Sequence, residues 1–121
     1  MAKFAFNLQP LLDHRRHLED QAQRGLAQLL RTKLAIETQL RNQQQAISDD
    51  KRRMAGGLTG HVDVGAIRRH AAHVGRAAVH AQQMALRLYQ LTREIEQARR
   101  ALANAMKQRK AVEVLRDRQY R

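Results

Sequence analysis

From Leu8 onward, apolar side chains return at intervals of three, four or their sum, seven: Leu8, Leu11, Leu18, Ala22, Leu26, Leu29, Ile36, Leu40, Ile47 and Met54. That spacing places them on one face of a helix, because an α-helix turns once every 3.6 residues. Asn7 has a side chain suited to accept hydrogen bonds from the first free amides of the helix. Pro10 is tolerated in a first turn, and Asp13 lies near the positive end of the helix dipole. The pattern predicts a helix over about 7–54. Beyond Ala22 the steps alternate four and three once the polar Lys33, Gln43 and Asp50 are counted in the line, whereas Leu18, Ala22 and Leu26 make two fours in succession. A stutter of this kind locally unwinds a coiled coil.

Residues 55–66 read AGGLTGHVDVGA, with glycine at 56, 57, 60 and 65. Glycine at this density ends a helix and turns the chain. Asp63 is placed to cap a second helix over about 67–119, in which Ile67, Val74, Ala81, Leu88, Ile95 and Leu102 follow one another at seven-residue intervals. This is a heptad repeat, the signature of a coiled-coil seam. Folding back at the glycine segment aligns the two stripes in one register. Met54 meets Ile67, Ile47 meets Val74, Leu40 meets Ala81 and Leu26 meets Ile95, and Leu18 with Leu102 and Leu8 with Val112 follow within one residue. The fold class predicted is all-α, a long two-helix antiparallel coiled-coil hairpin forming a single domain over 1–121. It is expected to bring both termini together about 70 Å from the bend at 1.5 Å per residue. The alanines of the second stripe bury little area and predict a thin middle. Lys33, Gln43 and Asp50 fall in the same seam, opposite Leu88, Ala78 and Ala71. A two-helix seam tolerates such side chains because their polar ends reach water.

Composition narrows the chemistry. The aromatic residues are Phe4, Phe6, Tyr89 and Tyr120, tryptophan and cysteine are absent, and Pro10 is the single proline. Without cysteine there is no disulfide, thiolate metal site or thiol nucleophile, which fits a reducing compartment and suggests the cytoplasm. No apolar run reaches the length of a secretory signal or a membrane span. The net charge is +12, and the second half of the chain is the more basic. From Val64 to Arg93 there are five arginines and no acid, a segment that attracts acidic partners.

Catalytic and metal chemistry find no support. His70, His73 and His80 have helical ligand spacing, but the first helix offers no histidine opposite them, and a closed zinc site needs four ligands. His14 and His17 beside Asp13 meet the same objection. Ser48 is the sole serine, and the glycines follow a helix with no lysine-Ser/Thr pair behind them, so neither a nucleophile relay nor a phosphate loop is assembled. The expectation is a protein with no enzymatic activity, no cofactor and no bound metal. A basic nucleic-acid-binding coiled coil is the alternative reading. Against it, Tyr89 is the one aromatic in the basic segment available for base stacking.

The opening KFAFNLQPLLDHRRHLEDQAQ and the closing RKAVEVLRDRQ resemble the two ends of the FliJ family, a component of flagellar type III protein export. The resemblance implies a stalk-like coiled coil similar to the gamma subunit of rotary ATPases. Such a stalk inserts into the ring of the export ATPase FliI and stimulates it. The resemblance also implies contact with the export gate FlhA and with export chaperones, at the inner face of the cell membrane. Carried onto this chain, the ATPase-facing residues are Leu8, Leu12, Arg15, Arg16, Arg109, Lys110, Glu113 and Arg116. The positions matching the family's gate contact include Gln39, Gln43, Ala46 and Asp50 on the first helix. On the second they hold His73, Ala77, His80 and Met84. Of the four on the first helix, Gln39 alone keeps the family's residue type, and the aromatic anchor is missing.

Overall fold

The computed structural model describes residues 7–56 and 63–119, and among them the chain forms two long helices packed against each other and no strand. Helix α1 runs Gln9–Gly56 and helix α2 runs Val64–Gln119. Phe4, Phe6, Tyr120, His61, Gly57 and Gly60 lie outside the described residues.

Both predicted caps are in place. Asn7 Oδ1 accepts the Gln9 amide at 3.0 Å, and Asp63 Oδ1 accepts the Ala66 amide at 3.2 Å. Each satisfies a donor that the first turn leaves without an intrahelical acceptor. The Asp63 cap starts α2 at Val64, three residues before the heptad pattern begins, so Gly65 belongs to the first helical turn and not to the bend. Its missing β-carbon matters there: one would lie 3.2 Å from both Asp63 Oδ1 and Arg69 Nη1, the pair that closes the cap from outside. Replacing Asp63 with alanine is expected to cost about 1 kcal/mol and to fray this turn. Faster amide exchange at Gly65 and Ala66 would report it.

Tertiary contacts divide the chain into two compact units, Met1–Arg31 with Thr92–Arg121, and Thr32–Leu91. In the terminal unit the segments are antiparallel, with Gln9 joined to Arg116 and Arg15 to Gln108. Its core consists of Leu12, Ile95 and Val112. In the second unit Ala77 and Leu91 are buried. Leu40, Gln43 and Ile47 face Val74, Ala77, Ala78 and Ala81 across a shallow cleft of about 390 Å³, in the register the apolar spacing predicts. Alanine is too short to fill the space between two helix axes, so the expected thin packing shows as this cleft.

The burial pattern differs from the apolar stripe in one respect. From Leu8 into α1, one line of half-buried and buried positions runs 8, 12, 15, 19, 22, 26 and 29 without interruption. The regular heptad passes through Arg15 and Glu19, where the apolar pattern alone reads a stutter. Leu18 is half-buried beside this line.

Candidate functional site

The terminal unit gathers most of the charged residues that the sequence nominates, and the fold gives them two different tasks. Arg109 lies on the α2 seam one heptad beyond Leu102, and its side chain is only 19% exposed. Its Nε donates to Glu19 Oε2 at 2.7 Å and its Nη2 to Glu19 Oε1 at 3.2 Å, a two-point contact between a guanidinium and a carboxylate across the helices. Its Nη1 donates to Glu113 Oε2 at 3.1 Å, one turn further along α2. The other oxygen of Glu113 accepts from Arg16 Nη2 at 3.4 Å. The chain of contacts is therefore Glu19, Arg109, Glu113, Arg16, with opposite charges alternating.

The hydrogen bond from Arg109 holds the Glu19 carboxyl below its usual range, against the opposing effect of partial burial. For Glu113 desolvation is the strongest influence and pushes upward. The combined hydrogen bonds and charges of Arg109 and Arg16 still leave it lowered. Arg109 is raised in turn, chiefly by the hydrogen bond to Glu19, so it is a permanent cation.

Around this network, Arg15 Nη1 donates to Gln108 Oε1 at 2.7 Å and Arg116 Nη1 to Gln9 Oε1 at 3.2 Å. Arg15 Nε is buried and has no acceptor among the described residues. Leu12 is fully buried and Leu8 half-buried, so both belong to the seam, whereas Lys110 is exposed and Arg16 is 48% exposed. The eight nominated residues thus divide. Leu8, Leu12, Arg15, Arg109, Glu113 and Arg116 bind the helices to each other, Lys110 projects positive charge outward, and Arg16 does both, bridging to Glu113 while its side chain stays half exposed. Leu11, Val114 and Leu115 add exposed apolar surface to the same unit. Glu19, Gln108 and Gln9 complete the network without having been nominated. The signal for Glu19 was its heptad position, since a carboxylate in a seam calls for a cation in the facing heptad.

In the second unit, Gln39 is exposed and Gln43 is half-buried on the wall of the cleft against α2. Of their counterparts on α2, Ala77 is buried, and His73, His80 and Met84 are half-buried. Asp50 is not left opposite an alanine. It accepts a short hydrogen bond from His70 Nδ1, one residue before the predicted Ala71. His70 holds the Asp50 carboxyl below its usual range, first through that hydrogen bond and then through charge, helped by Arg53 and His73. These residues line an open cleft of about 630 Å³ with Arg69. Among the described residues no group of three or more histidines and carboxylates is placed to hold a metal ion, and no helix is long and apolar enough to cross a membrane.

In the comparison with protein families, the model described as flagellar FliJ protein matches residues 4–121. Comparisons with curated proteins and with solved structures return no match.

Proposed function

The chain belongs to the flagellar FliJ protein family, a component of flagellar protein export, and from that premise we propose that its terminal unit docks into the ring of an export ATPase and stimulates it. The observation that carries the reading is the division of labour in that unit. A cross-helix charge network fixes the two segments, and its half-exposed end Arg16 and the exposed Lys110 present positive charge to the outside with exposed Leu11, Val114 and Leu115. A basic end of this kind is attracted to an acidic ring lumen, and the apolar residues add short-range contact. The protein carries out no catalysis itself and works without a cofactor. It acts in the cytoplasm against the inner face of the membrane, and it also meets the export gate and export chaperones. For the gate, the exposed Gln39 and the half-buried Gln43 are the positions to examine.

The test is ATP hydrolysis by the purified export ATPase with and without the full chain. Stimulation is expected, and removing the outward charge (Arg16→Gln, which can still donate to Glu113, with Lys110→Glu) is expected to reduce it by about tenfold or more at low salt. Circular dichroism should show unchanged helix content. A chain that neither binds nor stimulates the ring, or a double variant as effective as the parent, would remove the stalk role.

A further inference from the structure

Helix α2 has a second apolar line that faces away from α1. Ala72, Gly75, Val79, Gln82, Leu86 and Tyr89 succeed one another at alternating steps of three and four, and every one is exposed. Val79 is 55% exposed, Leu86 60% and Tyr89 64%. Scattered exposed leucines need no explanation, but a line with the same periodicity as a packed seam does. A β-carbon on Gly75 would meet nothing within 4 Å, so the ridge has an open notch. Arg68 stands one step before this line, and Arg76 flanks it. No acid occurs from Val64 to Arg93.

We propose that this outer face of α2, from Ala72 to Tyr89, is a docking ridge for an acidic amphipathic helix of a partner protein. The apolar line spans about 25 Å at 1.5 Å per residue, some five turns of a partner helix. Its alternating steps offer ridges and hollows to a second helix laid alongside. Charge selects the occupant. A second copy of this chain would bring its arginines, Arg68 and Arg76, into the same apolar contact with no acid to meet them, which disfavours self-association, whereas glutamates flanking a leucine stripe would meet these arginines at one end and along one edge. Nucleic acid would use the arginines but leave Val79 and Leu86 without a role. The ridge is separate from the terminal unit, so it stands or falls independently of docking to the ATPase ring.

The experiment uses the full chain and a fluorescent synthetic peptide with leucines at heptad spacing flanked by glutamates, beside a scrambled peptide of the same composition. Anisotropy should show the patterned peptide binding at least about tenfold more tightly than the scrambled one. Leu86→Asp should weaken it by about tenfold or more, as loss of a central apolar contact does. Arg76→Glu should weaken it and reduce the salt dependence, while Arg16→Glu should leave it unchanged. Helix content by circular dichroism should match the parent, and Val79→Asp reads the same face if Leu86→Asp alters the fold. Equal binding of the scrambled peptide, or affinity indifferent to both Leu86→Asp and Val79→Asp, would overturn the proposal. So would a self-association in sedimentation equilibrium that Leu86→Asp abolishes, or binding to a mixed-sequence oligonucleotide or anionic phospholipid vesicles that exceeds peptide binding and depends on Leu86.

Discussion

Leu12→Ala and Leu91→Ala are each expected to lower the unfolding free energy by about 2–5 kcal/mol, a large part of what a small helical protein has. Both side chains are completely buried, and they are the two largest that are. The described apolar core otherwise comprises Ala77, Ile95 and Val112. In a seam only two helices thick, no further layer of side chains stands ready to collapse into the space that truncation leaves. The control is Leu34→Ala or Leu86→Ala, whose side chains are 59% and 60% exposed, and these should stay within about 0.5 kcal/mol of the parent. Urea denaturation followed by circular dichroism separates the cases. If Leu12→Ala and Leu91→Ala behave like the exposed controls, the buried seam is not what holds the helices together.

Acid should lower the temperature at which the protein unfolds. Glu19, Glu113 and Asp50 all have folded-state values depressed below their usual 4.5, 4.5 and 3.8. A carboxylate whose folded value is depressed adds stability that is fully present above its unfolded value and is lost as pH falls through the folded one. The midpoint of thermal unfolding should therefore hold steady above about pH 5 and drop steeply below the ordinary carboxylate range. Glu19→Gln should lower the midpoint at neutral pH and flatten the acid limb, since the amide keeps the shape but has no proton to gain. A midpoint independent of pH from 6 down to about 3 would show that these pairs contribute nothing to stability. So would a Glu19→Gln protein with the same acid limb as the parent.

The fold was written in the spacing of leucines and alanines, and the reason is physical. With no tryptophan, one proline and a heptad line from Ile67 to Leu102, few arrangements other than a helix pair bury the apolar stripes. The caps at Asn7 and Asp63 were legible for the same reason, since side-chain acceptors ahead of a periodic segment have one common use. The polar residues of the seam were harder to read. Asp50 was aligned with Ala71, and the side chain it meets is one residue away at His70. Cα register does not say which neighbour a side chain leans towards. Arg109 and Glu113 looked like outward charges because their partners lie 90 and 97 positions away, at Glu19 and Arg16. An apolar periodicity skips polar positions by construction, so Glu19 appeared as a break in the stripe when it is a member of the seam.

That membership fixes how the strands of the seam are phased. A heptad ridge repeats itself, so one helix can slide along another by about 10.5 Å and find an equivalent set of hollows. Alanine-rich stretches do little to forbid the slide. In the terminal unit, a slip either way carries the Glu19 carboxylate a full heptad from the Arg109 guanidinium and breaks their two-point contact. Either shift parts two ionised groups held in the seam, so the Glu19 and Arg109 pair acts as a dowel that favours a single alignment where the apolar surface alone would accept several.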